Sequence, residues 1–107
     1  WNAVFAATNL PWAAYGLGSS VYVFTNPDGL DIDPENFNAN AQPMAVMEAG
    51  GNHKAASLFR MAMLVNGVDL SNKPGAIVSA VHGDDDIAES AEAVRASIAM
   101  LKEEGRL

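Results

Sequence analysis

The order of hydrophobic and polar residues predicts one helix and two strands near the start of the chain. Residues 2–8 are mostly apolar and indicate the end of a helix, which Asn9 and Pro11 close because proline cannot continue it. The short aromatic segment 12–16 predicts a strand. Residues 20–25 are β-branched and aromatic without alternation, which predicts a second strand that is buried on both faces.

A turn and a long irregular segment follow the second predicted strand. The sequence Asn-Pro-Asp-Gly at 26–29 has turn chemistry, since proline presets φ and glycine accepts a positive φ. Residues 30–51 are rich in acidic, amide, proline and glycine residues and show no sustained period. Because so long a stretch without regular structure is uncommon inside a compact domain, we expect it to lie against another part of a larger protein.

Helical spacing returns in the middle of the chain. Asn52 is a good N-cap, and Gly67 is expected to end this helix from the C′ position. Met61, Leu64 and Val68 widen its apolar stripe, so we expect the helix to be covered on more than one side. The stripe itself consists of Ala55, Leu58, Phe59, Ala62 and Val65.

The last third of the chain predicts two short strands and a final helix. Residues 68–70 and 77–81 are the predicted strands, and a loop lies between them. Asp86 and Glu89 have the spacing of a capping box at the start of the final helix. Its apolar stripe consists of Ile87, Ala91, Val94, Ile98 and Leu101. These elements predict an α+β fold, in which a small, mostly antiparallel sheet of about three to four strands packs against two main helices.

Composition fits one small domain and excludes several functional classes. Half of the 107 residues are apolar, which is enough for one packed core. The net charge is -7 and the six Lys and Arg residues are scattered, which argues against nucleic-acid binding. No apolar run is long enough to span a membrane, and no basic segment near the start indicates a signal peptide. Since the chain has no cysteine, a reducing compartment such as the cytoplasm is expected.

Three groups of residues invite a chemical role, and a structural role is favoured for each. An acidic segment offers the carboxylates that calcium prefers, but its spacing does not match an EF-hand, so we expect turns there. His82 beside Asp84–Asp86 suggests a metal site or a general base, although aspartates at a helix start are typical caps. Gly50 and Gly51 resemble part of a phosphate cradle, but no Lys-Ser/Thr pair follows them. The acidic segment consists of Asp28, Asp31, Asp33 and Glu35.

The end of the chain resembles a known enzyme family. Residues 67–70 (Gly-Val-Asp-Leu) precede a loop and then residues 77–87, which lead into the final helix. This order resembles the C-terminal end of class III aminotransferases, particularly the glutamate-1-semialdehyde aminomutase-like branch. There a Gly-Val-x-Leu strand, a loop and a Ser-x-x-His-(Thr/Ser)-x-(Glu/Asp)-Asp-Ile segment precede the last helix. The most specific match is the segment from Ser79 to Ile87, and residues 10–16 and 22–27 are also similar to that branch.

The resemblance implies that residues 1–107 are the C-terminal small domain of a larger two-domain enzyme of fold type I, and a start at Trp1 rather than Met suggests a fragment. Such an enzyme uses pyridoxal phosphate (PLP) to transfer an amino group between an amine or amino acid and a keto acid, and it is usually a homodimer. The Schiff-base lysine and most phosphate contacts are expected in the missing large domain, outside this chain. We therefore expect the domain alone to bind no PLP and to be inactive.

The resemblance also points to a substrate-side loop. In the aminomutases the corresponding loop is longer and carries an acidic residue, whereas residues 71–76 are shorter and have none. An aminotransferase that acts on another amine or amino acid is therefore expected, rather than an aminomutase. Ser71, Asn72 and Lys73 are the substrate-side candidates, and Lys73 suits an anionic group. A loop that is merely solvated is the alternative.

A different class of function stays open. The chain would then be a stand-alone α+β interaction module that works through a Met-rich and aromatic surface, without enzymatic activity. A gene that begins just before Trp1 would indicate the module. Several hundred upstream residues with a lysine at a strand end would indicate the enzyme.

Overall fold

The computed structural model describes residues 1–71 and 75–107, which form the α+β fold that the sequence predicts. Helix α1 (Asn2–Ala7) precedes the strands β1 (Ala13–Leu17) and β2 (Ser20–Phe24). Two 3₁₀ turns, Pro34–Asn36 and Ala39–Ala41, lead into helices α2 (Met44–Asn52) and α3 (Lys54–Val65). Strand β3 (Gly75–Ile77) and helix α4 (Asp84–Glu103) complete the described elements.

The described strands form an antiparallel sheet in the order β1-β2-β3. Paired residues on neighbouring strands share a face, so two faces can be defined. The outer face carries Ala13, Tyr15, Leu17, Ser20, Tyr22, Phe24 and Ile77. The inner face carries Ala14, Val21, Val23 and Ala76.

Strand β2 is buried on both faces at one end only. Val23 and Phe24 are buried, whereas Tyr22 is 42% exposed, so the prediction of a strand covered along its whole length is wrong. The reason lies in what covers the outer face. Helix α2 and Phe37 pack over Phe24, and this cover does not reach the other end of the strand.

The hydrophobic core lies between the inner face and helices α1, α3 and α4. Phe5, Trp12 and Phe59 meet edge to face, and the ring centroids of Trp12 and Phe59 are 5.4 Å apart. Such aromatic pairs stabilise by about 0.5–1.5 kcal/mol beyond the area they bury. Val94 and Ile98 of α4 are almost fully buried against them, as the stripe of that helix predicts.

Helix α3 exposes part of the apolar stripe that was expected to be covered. Its buried residues include Ala55, Phe59 and Ala62, as predicted. In contrast, Met61, Leu64 and Val65 are 63%, 58% and 73% exposed, so the expected cover on more than one side is wrong. We call these three exposed residues the α3 patch.

The two ends of α3 differ in how well the sequence predicts them. Asn52 ends α2 and His53 is the N-cap of α3, so the predicted cap at Asn52 is wrong. At the other end Gly67 has φ +89°, and its N–H and that of Val68 donate to carbonyls of the last turn. This Schellman arrangement is the ending that a glycine at C′ predicts.

The strands predicted in the last third of the chain are shorter than expected. Residues 68–70 form no strand, and the carbonyl of Leu70 accepts a hydrogen bond from Arg60 Nε at 2.8 Å instead. Strand β3 ends at Ile77, after which the N–H of Val78 donates to the carbonyl of Ser19 at 2.7 Å. The chain then turns toward α4, so the prediction of a strand over 77–81 is wrong beyond Ile77.

Candidate functional site

The predicted substrate-side loop begins at a closed turn next to β3. The N–H of Ser71 donates to the carbonyl of Gly75 at 3.0 Å, and its hydroxyl donates to the same oxygen at 3.2 Å. Ser71 is exposed on the surface. Asn72 and Lys73 lie outside the described residues.

A groove of about 710 Å³ lies between the inner face of the sheet and the first turns of α1 and α4. Residues 67–69, which precede the loop, form one wall, and residues 76–78, which follow it, form part of the floor. Carboxylates stand around its edge, so we call it the acid-rimmed groove. These rim residues are Asp69, Asp86 and Glu89.

His82 closes a turn at one end of the groove. The imidazole Nδ1 of His82 accepts a hydrogen bond from the backbone N–H of Ser79 at 2.9 Å. The backbone N–H of His82 donates to the carbonyl of Ser79 at 3.0 Å. Asp86 Oδ2 accepts from the N–H of Gly83 at 2.8 Å, so Gly83 is the N-cap of α4. The predicted pairing of Asp86 with Glu89 as a capping box is therefore wrong, although Asp86 does cap the helix.

The acidic segment folds into turns. Asp33 accepts a hydrogen bond from Asn36 Nδ2 at 2.6 Å and another from the N–H of Glu35 at 3.0 Å. These bonds hold the pKa of the Asp33 carboxyl below its usual value, the Asn36 side chain contributing most. Among the described residues no group of three or more His, Asp or Glu side chains is placed to hold a metal ion.

Gly50 is a packing residue in the last turn of α2. A Cβ at this position would lie 2.4 Å from Cδ2 of Phe24, and the Gly50 carbonyl accepts a hydrogen bond from the hydroxyl of Thr25 at 2.7 Å. Since Gly50 and Gly51 end a helix rather than begin one, their N–H groups do not form the phosphate cradle that the sequence suggested.

Aromatic residues on the outer face surround Phe37, which the sequence pattern did not single out. The rings of Phe24 and Phe37 stack with centroids 5.2 Å apart, and Tyr15 packs against both Tyr22 and Phe37. Burial raises the pKa of Tyr15, and the neighbouring Tyr22 raises it further. These rings fix the segment around residue 37 on the sheet.

Lys54 and Lys102 are the lysines among the described residues. Lys54 is exposed in the first turn of α3, and Lys102 donates from Nζ to the carbonyl of Thr8. Neither lysine lines the acid-rimmed groove.

The groove is the feature that sequence reasoning missed. Its lining comes from separate segments, around residues 1–3, 14–21, 67–69, 76–78 and 82–90. Asp86 and Glu89 were noticed for helix capping, but nothing local connects them with Asp69.

No helix in residues 1–71 and 75–107 is both long and apolar enough to cross a bilayer.

Comparison with known proteins adds no relative from which a role can be taken. No protein-family model matches the sequence, and no curated protein is significantly similar to it.

Proposed function

We propose that residues 1–107 are the C-terminal, substrate-side small domain of a PLP-dependent class III aminotransferase and that the domain is not catalytic alone. The observation that carries the proposal is the α3 patch, a set of adjacent exposed apolar side chains on a domain whose core is packed elsewhere and which also exposes Leu17 and Ile77. Contiguous exposed apolar side chains are typical of surfaces that another protein surface covers. The resemblance at Ser79–Ile87 supplies the identity of that larger partner.

The remaining parts of the proposal follow from the same resemblance. The large domain supplies the lysine that bears PLP, and PLP supplies the amino-transfer chemistry. The parent is a homodimer in the cytoplasm, where a chain without cysteine has no need of disulfides. The small domain contributes the loop at Ser71, Asn72 and Lys73 to the substrate side of the site.

The decisive experiment is to purify the native protein with an antibody against α4 and reduce it with borohydride. We expect a polypeptide much larger than 11.2 kDa, with PLP fixed to a lysine outside residues 1–107. Peptide mass mapping locates the modified lysine. PLP on Lys54, Lys73 or Lys102 would overturn the proposal, and so would a native protein of 107 residues without PLP.

The same native enzyme tests the role of Lys73. In the proposed site Lys73 meets an anionic group of the substrate, and a hydrogen bond to a charged group is worth about 1.5–3 kcal/mol. Lys73→Met should therefore raise KM for an anionic substrate about 10–100-fold and leave KM for a neutral amine unchanged. Lys54→Met removes the same charge from the first turn of α3 and serves as the control. Equal KM values for the anionic substrate in the two variants would show that Lys73 does not contact the substrate.

A further inference from the structure

We propose that the acid-rimmed groove is a docking site for a polypeptide segment with apolar side chains on one side and Lys or Arg on its flanks. This inference goes beyond the aminotransferase proposal, because it depends neither on PLP nor on the loop at 71–75.

The floor of the groove is apolar surface that the core leaves open. Ala14, Val21 and Ala76 of the inner face are only partly buried, although the same face is fully covered at Val23. Ile87, in the first turn of α4, is 48% exposed at the side of the groove. The sheet therefore extends past the helices that cover it, and burial of this surface by a partner is favourable.

Hydrogen bonds fix the walls of the groove relative to one another. Trp1 Nε1 donates to Ser90 Oγ at 3.0 Å, which ties the start of α1 to the start of α4. The side-chain amide of Asn2 bonds both backbone groups of Ala14, at 2.9 Å and 2.6 Å, and ties α1 to β1. The groove is thus formed before a partner arrives, which lowers the cost of binding.

The acidic and basic side chains described on the rim of the groove are carboxylates. Asp69, Asp86 and Glu89 lie on the rim, and no described Lys or Arg is among the lining residues. The nearest guanidinium nitrogen to Asp69 belongs to Arg60, 4.0 Å away, and the Asp69 side chain stays 74% exposed. A net charge of -7 over the whole chain adds long-range attraction for a basic partner.

The shape of the site favours a segment of polypeptide over an enclosed small molecule. The rim residues are exposed on the surface, so the part of the groove formed by residues 1–71 and 75–107 is open to solvent. Apolar side chains of a helix or strand then contact the floor, while flanking Lys or Arg side chains reach the rim. Complementary charge of this kind sets specificity and association rate.

The test uses a capped synthetic peptide of Leu and Lys in a helical pattern, titrated into the 107-residue chain. We expect binding that weakens with salt, and no binding of the matched Leu–Glu peptide. Ala3→Trp fills the mouth of the groove from an exposed position and should weaken binding at least about tenfold. Ala7→Trp makes the same change at an exposed site of α1 that does not line the groove, and should have no effect.

A second pair of variants separates the rim from the overall charge. Asp69→Asn with Glu89→Gln should weaken binding about tenfold and flatten its salt dependence. Glu103→Gln with Glu104→Gln removes the same charge at the far end of α4 and should change little. Circular dichroism and urea unfolding establish that every variant is folded. The inference is overturned if the peptide does not bind, or if Leu64→Gln in the α3 patch abolishes binding while Ala3→Trp leaves it unchanged.

Discussion

Gly50 and Gly51 are neighbours in the last turn of α2, but their surroundings differ. A Cβ on Gly50 would enter the ring of Phe24, whereas a Cβ on Gly51 would meet nothing within 4 Å. The first glycine therefore sets how closely α2 approaches the sheet. The second contributes little except a weaker helix, because glycine is a poor helix former.

This difference predicts opposite effects of the same substitution. Gly50→Ala should lower the free energy of unfolding by about 1–3 kcal/mol, since the backbone or Phe24 must shift. Gly51→Ala should raise it by about 0.4–1 kcal/mol. Urea unfolding of both variants measures the two changes. Equal effects would mean that Gly50 does not fix the contact between α2 and β2.

The lowered pKa of Asp33 gives a prediction about pH. Because its folded pKa lies below the unfolded value, Asp33 stabilises the fold above the unfolded pKa, and this contribution is lost as pH falls through the folded pKa. Asn36→Ala removes the main cause and should move the Asp33 pKa back up, which carboxyl NMR titration measures. Asn40→Ala is an exposed control that should leave it in place. An unchanged pKa in Asn36→Ala would assign the shift to another cause.

Residue roles set by local rules were predictable, and roles set by distant partners were not. The positive φ of Gly67 follows from its position after an apolar helix, and the turn at 26–29 follows from Pro and Gly. The contact of Gly50 with Phe24 joins positions 26 residues apart, and nothing near Gly50 in the sequence indicates it.

At the scale of elements, the free edge of β1 is bonded at Ala14 by a side chain instead of a strand. Asn2, in the first turn of α1, offers its amide N–H and oxygen to the carbonyl and N–H of Ala14. An amide group matches the pair of bonds that a neighbouring strand would make. Closing an edge in this way also hinders pairing with other chains.

Asn2→Ala should therefore destabilise the fold by about 1–3 kcal/mol, because it leaves the partly buried backbone of Ala14 without these bonds. Alanine is a better helix former than asparagine by up to about 0.7 kcal/mol. The free energy lost with the two bonds to Ala14 is therefore larger than the measured change in the free energy of unfolding. Thermal and urea unfolding measure the effect, with Asn40→Ala as the exposed control. A wild-type stability in Asn2→Ala would show that water replaces both bonds.

Elements with a strong local pattern were predicted well, and those held by tertiary contacts were not. The stripe of α4 and the residues of β1 and β2 predicted their positions to within a residue or two. Residues 30–51 were expected to lack regular structure, which is wrong. Helix α2 contacts β2 through a glycine and leaves Met44 exposed, so it shows no apolar period.

At the scale of the whole molecule, the α3 patch predicts self-association of the isolated chain. Met61→Gln, Leu64→Gln and Val65→Gln together should reduce association and the binding of an apolar dye. Since these side chains are exposed, the free energy of unfolding should stay within about 0.5 kcal/mol. Light scattering after gel filtration measures association. Leu17→Gln with Ile77→Gln changes exposed apolar side chains of the outer face and measures how much of the association that other surface contributes.

A wild-type chain that is strictly monomeric and binds no dye would contradict this prediction. It would also remove the observation on which the small-domain proposal depends. The proposal that the acid-rimmed groove binds a polypeptide would still stand, because none of the residues in the α3 patch lines the groove.

The site was less predictable than the fold, because it is assembled from the whole length of the chain. The substrate-side loop was proposed from a resemblance, and of its residues the structure describes Ser71 alone. The groove combines the first residues of α1 with the first turns of α4. A sequence pattern describes neighbours along the chain, whereas this surface exists only after residues about 90 positions apart have met.

The ties between α1 and α4 also determine when the core can be completed during synthesis. Trp1 bonds Ser90 across 89 positions and Lys102 bonds Thr8 across 94. A ribosome makes α1 first, so Phe5 and Trp12 have left it before their cluster partner Ile98 is made. Until then these rings lack the cover of α4, and the nascent chain exposes apolar surface that a chaperone can bind. Contacts of such long range also slow folding, because a large loop must close first.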